Sequence, residues 1–149
     1  METMKLYNGV EVPANGFGVY QVSKEDCKES VLTALKTGYR HIDTAQSYFN
    51  ESEVGEALKE SDVPRKEIFL TTKVWIDNYG EGKTYDSVVE SLKKLQTDYL
   101  DLILLHQPVG DYYAAYRDLE KLYEEGKVRA IGVSNFYPDR LVDLCMFAK

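Results

Sequence analysis

Segments that read as β-strands alternate along this chain with segments that read as amphipathic helices, and this restricts the fold more than any other feature. The strand-like runs are "YRHID", "IFLTTK", "YLDLILLH" and "VRAIGV". Their ends, at Asp43, Lys73, His106 and Ser134, recur at roughly 30-residue intervals, the length of a strand–helix–strand unit. Helical spacing fills the gaps, with Cys27, Val31, Ala34 and Leu35 on one face, then Val54, Ala57 and Leu58. Tyr85, Val88, Val89, Leu92 and Leu95 mark a third helix, and Leu119, Leu122 and Tyr123 the buried side of a fourth. Ser23 caps the first helix and Gly38 stops it; Asn50 and Glu53 have capping-box spacing for the second, which should end before Pro64. Asp111 caps the fourth and Gly126 ends it. A last helix opens at Pro138 and is expected to run to Lys149. Ahead of these units, Asn8-Gly9 between short alternating segments predicts a β-hairpin with a two-residue turn.

Strands separated by helices must be parallel, joined by right-handed crossovers. With no linker or low-complexity stretch, residues 1–149 read as a single domain. Five parallel strands fit either a doubly wound sheet or part of a closed barrel. The barrel is favoured, because its active sites gather side chains from the C-terminal ends of several strands. A dinucleotide-binding sheet would need a glycine-rich loop after its first strand. Gly16-Phe17-Gly18 lacks the third glycine and reads as a strand requiring close backbone approach.

A net charge of −7 argues against nucleic acid or an anionic membrane as partner. No apolar run approaches the roughly 20 residues of a membrane span. The start "METMKLYNGVEVP" lacks the basic-then-apolar order of a secretory signal, so a cytoplasmic location is expected. Two cysteines, Cys27 and Cys145, are too few for a disulfide framework or a cysteine-based zinc site, and both read as buried thiols. Charged runs such as "KESDVPRKE" read as solvated helix ends and loops.

Asp43, Tyr48, Lys73 and His106 bring an acid, a phenol, an amine and an imidazole to one end of the predicted sheet. A free phenol, with a pKa of about 10, is a poor donor near neutrality, but a neighbouring ammonium favours its anion. Lys73 supplies that charge and Asp43 keeps the lysine protonated. His106 can donate a hydrogen bond to a substrate oxygen if its accessible nitrogen carries the proton. Together these groups can polarise a carbonyl and protonate its oxygen. Each also has a structural reading: Asp43 a strand-end cap, Tyr48 a half-buried aromatic, Lys73 a surface charge, His106 a turn residue before Gln107-Pro108. Ser134-Asn135 can cap the following helix, and His41 reads as a packed strand residue.

The segments "GYRHIDTAQSYFNESEVGEAL", "TTKVW", "DYLDLILLHQP" and "EEGKVRAIGVSNF", in this order, resemble the aldo/keto reductase family over nearly all of residues 4 to 149. The resemblance implies a (β/α)8 TIM barrel, of which this chain holds an N-terminal hairpin and about five βα units, and NADPH-dependent reduction of aldehydes and ketones to alcohols. It implies that Tyr48 donates the proton, Lys73 lowers the phenol's pKa, Asp43 pairs with Lys73 near the nicotinamide ribose, and His106 orients the carbonyl. Ser134 and Asn135 match the pair that holds the nicotinamide carboxamide, while Val19, Tyr20 and Trp75 match positions lining the cofactor and substrate pocket. Gln107 stands where the family usually has tryptophan, which changes the pocket wall.

A complete barrel needs eight strands and about 250 residues. The chain is therefore expected to be a fragment of a longer reductase, monomeric at full length, or to cover its sheet edges by pairing between copies. The expected partner is a small-molecule carbonyl substrate. The alternative is an inactive half-barrel that serves only as a folding or interaction fragment.

Overall fold

Each apolar run becomes a strand, and the strands line up side by side in chain order. The computed structural model describes residues 2–149. A hairpin of β1 (Thr3–Lys5) and β2 (Glu11–Pro13) comes first. The alternating units follow as β3 (Phe17–Gly18), α1 (Lys24–Lys36), β4 (His41–Asp43), α2 (Glu51–Glu60), β5 (Phe69–Val74), α3 (Lys83–Lys94), β6 (Leu102–Leu105), α4 (Tyr112–Glu124), β7 (Ile131–Val133) and α5 (Pro138–Cys145). The sheet order is β3-β4-β5-β6-β7, every pair parallel. A doubly wound sheet reverses its order at a switch point, whereas this sequential order is that of a barrel wall. β5, central in the sheet, is buried at every position, as expected for a parallel strand covered on both faces.

The helices form where the capping chemistry allows. Ser23 accepts a hydrogen bond from the Asp26 amide at the start of α1, and Asp111 does the same for Ala114 at the start of α4. Gly38 and Gly126, both at positive φ, end these helices where a Cβ would be strained. Apolar faces from α1 to α4 close over the sheet in one continuous core with Ile42, Leu70, Ile103 and Leu105. No helix among the described residues is long and apolar enough to cross a membrane.

Several sequence expectations need correction. The hairpin loop spans residues 6–10: Gly9 N–H donates to Leu6 O, Leu6 N–H donates to Val10 O, and only Gly9 has positive φ. This is a turn followed by a bulge, so Asn8-Gly9 does not form a two-residue turn. Asn50 precedes α2 without capping it by its side chain, because its amide is committed to other segments. Cys27 is buried as expected, but Cys145, in the last turn of α5, is exposed. Tyr123 is exposed rather than on the buried side of α4. Helix α5 ends at Cys145, short of Lys149. Within "KESDVPRKE", Arg65 leaves the solvent to reach Asp101, at 2.9 Å, and lies over the Tyr99 ring.

At the floor of the sheet, Asp101 is almost fully buried and accepts from Arg65, from Arg129 at 2.7 Å and from the Leu70 amide. His41 packs edge-on against Phe69 and has a partner in the Thr71 hydroxyl, 3.0 Å away.

Two outcomes follow from this packing. A Cβ at Gly55 would lie 2.3 Å from the Lys94 carbonyl oxygen and 2.8 Å from Leu95 Cα, so α2 and α3 can approach only through glycine. Gly55→Ala should therefore lower stability by about 1–3 kcal/mol, read as a reduced urea midpoint. Burial, with a smaller push from Lys73 and against an opposing pull from Asp43, holds His41 below the ordinary histidine value of 6.5. The unfolded chain thus takes up that proton more readily, and stability present above pH 6.5 is lost as pH falls toward the folded value. Urea midpoints measured on either side of pH 6.5 should show a shallower slope in His41→Gln than in the parent.

Candidate active site

The register of β4 and β5 pairs Asp43 with Thr71, placing Lys73 on the same side of the sheet and one step closer to the strand's C-terminal end. Lys73 Nζ donates to Asp43 Oδ1 at 2.5 Å and to the Thr44 carbonyl at 3.2 Å. Two of its three ammonium hydrogens are thereby used. The Tyr48 ring centroid lies 5.2 Å from the same nitrogen, and no hydrogen bond joins Lys73 to the phenol oxygen. Tyr48 ends a short 3-10 turn, Gln46–Tyr48, that follows β4. Its hydroxyl has no hydrogen-bond partner among the described residues, while its ring packs against Tyr20 at 5.1 Å and edge-on against His106 at 5.7 Å.

His106 follows directly on β6. Its amide donates to Val74 O and its carbonyl accepts from Asn135 Nδ2 at 3.0 Å, so the backbone is fixed on both sides. Trp75 meets the imidazole edge-on at 5.3 Å, and Ser47 Oγ lies 3.3 Å from Nδ1. Burial first, then the Lys73 charge, lowers the His106 pKa from 6.5, with Asp43 opposing. The ring is accordingly neutral at neutral pH.

These side chains face a cavity of about 590 Å³. Tyr20, Tyr48, Phe49 and Trp75 form aromatic walls, and Ser47, His106, Gln107 and Asn135 are its polar lining. Asp43 and Lys73 stand behind Tyr48, partly and largely buried. Of the predicted positions, Asp43, Tyr48, Lys73 and His106 come together, with Tyr20, Trp75 and Asn135 beside them. Ser134 is adjacent, accepting from Asn135 Nδ2 at 3.1 Å. The capping alternative for Ser134-Asn135 fails, because the N-cap of α5 is Tyr137. Val19 also departs from expectation. Its side chain is sealed in the core, its amide donates to Asp43 O and its carbonyl accepts from Asn50, so it holds the site together without lining it.

Three polar residues that the sequence did not single out as site residues support this arrangement. Gln46 Oε1 accepts from the Trp75 amide and from Asn78 Nδ2, each at 2.9 Å, while Nε2 donates to Ser87 and Ser91. Asn50, almost fully buried, accepts from Thr44 Oγ1 at 2.8 Å and donates to the Val19 and Val22 carbonyls. Tyr79 uses its hydroxyl twice on Gln107, donating to the carbonyl at 2.9 Å and accepting from the amide at 3.2 Å. A polar residue flanking a predicted site residue was the available signal for Gln46. For Asn50 the same signal was absorbed by a capping reading, and Tyr79 offered none.

Comparison with known proteins agrees with this geometry. Residues 13–148 match the Aldo/keto reductase family. A glyoxal reductase of Bacillus subtilis (strain 168) is 51% identical over 145 residues, covering 96% of this chain and 52% of that protein. The crystal structure of an aldo/keto reductase from Brucella melitensis superposes with a TM-score of 0.95 at 45% identity, covering 97% of this chain and 58% of the other. A Bombyx mori aldo-keto reductase, solved in complex with NADP, gives 0.93 at 32% identity, over 97% and 54%. The chain thus spans about half the length of the relatives it matches, and its sheet is part of their barrel. With the family matched over nearly its whole length and the titratable side chains gathered at the strand ends, the chain belongs to the aldo/keto reductase family.

Proposed function

We propose that this chain carries the catalytic face of an NADPH-dependent reductase that converts small aldehydes and ketones to alcohols. The observation behind this reading is the Asp43–Lys73 pair set against Tyr48, with His106 on the same cavity. The unspent donor and acceptor atoms suit a nicotinamide carboxamide. Asn135 Nδ2 is engaged by His106 O and Ser134, while its Oδ1 and the Ser134 hydroxyl hydrogen remain uncommitted among the described residues. One acceptor and one donor side by side complement an amide's N–H and carbonyl. In this reading Asp43 lies by the ribose and Tyr20, 64% exposed, lies beside the ring. When bound, NADPH supplies the hydride.

The protein's part is positioning and proton delivery. His106 Nε2–H and the Tyr48 hydroxyl converge on the carbonyl oxygen, and Tyr48 releases its proton as negative charge develops there. The third Lys73 hydrogen, left free by Asp43 and Thr44, faces no other acceptor among the described residues and can stabilise the phenolate that remains on Tyr48 once its proton has left. Thr44 O and Asp43 hold that ammonium in place throughout. The glyoxal reductase relative makes glyoxal the first substrate to test.

In a spectrophotometric assay with glyoxal, the chain should oxidise NADPH, and Tyr48→Phe should reduce kcat by about 10²–10⁴-fold, the usual contribution of a general acid. Undiminished turnover in that variant would remove Tyr48 from the role. If the parent neither oxidises NADPH nor alters its fluorescence, the inactive half-barrel reading would replace this one.

A further inference from the structure

We propose that Ser47 is a positioning residue that holds His106 in the tautomer bearing its hydrogen on Nε2, by donating its own hydroxyl hydrogen to Nδ1. The contact is the 3.3 Å approach of Ser47 Oγ to Nδ1, the sole hydrogen-bond partner of the ring among the described residues. The Ser47 hydroxyl has no other acceptor among those residues, so its hydrogen is available to the imidazole. A neutral imidazole has one N–H and one lone pair, and a donor seated at one nitrogen assigns the hydrogen to the other.

Both partners are immobilised. The ring's backbone is fixed at the Val74 carbonyl and at Asn135, and its edges meet Tyr48 and Trp75. Ser47 sits in the turn that Gln46 fastens to Trp75, Asn78 and α3. The charged groups around the ring are Lys73 from β5 and Asp43 from β4, and Tyr48 is the neighbouring titratable group from the turn. Burial and Lys73 outweigh Asp43, which keeps the ring neutral, the condition under which a tautomer choice exists.

The consequence for catalysis rests on the reductase reading, whereas the tautomer itself does not. With Nε2 protonated the ring presents a donor to the carbonyl oxygen. With Nδ1 protonated it would present a lone pair, and that fraction of molecules would be unable to bind substrate productively. The apparent KM should then scale inversely with the Nε2–H fraction.

Long-range ¹H–¹⁵N correlation of the ring nitrogens reads the tautomer directly in the free chain. His41 and His106 are the two histidines, and His41→Gln assigns them. The parent should show His106 as Nε2–H alone. In Ser47→Ala an Nδ1–H component should emerge and the His106 titration midpoint should rise, because a bond to the neutral form has been removed. Ser47→Thr should restore both. An Nδ1–H signal in the parent, or an unchanged tautomer and midpoint in Ser47→Ala, would overturn the proposal. A correct tautomer signature in a chain that does not oxidise NADPH would support Ser47's role and count against the reductase reading alone.

Discussion

A protonated amine at the end of a buried strand must have an anion within contact, because burial of an unpaired charge costs far more than the fold can offset. Lys73 meets that requirement through Asp43, and the meeting depends on strand register. A slip of β5 by one residue against β4 would turn Lys73 to the opposite face and leave both charges stranded. The register is held by β5, buried at all positions between two parallel neighbours. Tyr48, His106 and the cavity they face are therefore built around an ion pair whose position the apolar packing of the sheet decides.

Around that pair, two side-chain amides hold the segments that carry the candidate site residues. Asn50 ties the loop after β3 to the end of β4, and Gln46 ties the Tyr48 turn to the loop after β5. Each uses its oxygen and its nitrogen, so neither is left buried and unsatisfied. The groups assigned to chemistry are the ones left uncommitted: the Tyr48 hydroxyl, His106 Nε2 and the Asn135 oxygen. A site organised this way keeps its reactive atoms free because other polar residues carry out the holding.

The sequence was most legible where one local rule acted alone. Helical spacing with Ser23 and Gly38 marked α1 almost to the residue, and the strand-end residues of β4, β5 and β6 converged as their periodic spacing required. It was least legible where a residue had two possible partners. Asn50 and Glu53 have the spacing of a reciprocal cap, yet the Asn50 oxygen, the atom a cap would use, accepts from the Thr44 hydroxyl while its nitrogen donates to the Val19 and Val22 carbonyls. Arg65 looked like one charge in a solvated run, because the carboxylate that draws it inward lies far along the chain at Asp101. Val19 matched a pocket position by motif, although its apolar side chain is better satisfied in the core. The contact between Ser47 and His106 crosses from one βα unit to another, and no local pattern announces it.

At the opposite end of the sheet from Tyr48, the Asp101 carboxylate serves Arg65, the Leu70 amide and Arg129 together. Those partners lie before β5, within it and before β7, so one acid bridges successive units of the wall. Opening any one of them leaves the shared anion short of a partner and weakens the others. An architecture assembled from repeating modules would otherwise be free to peel apart module by module; this rivet ties the floor of the wall into one cooperative unit.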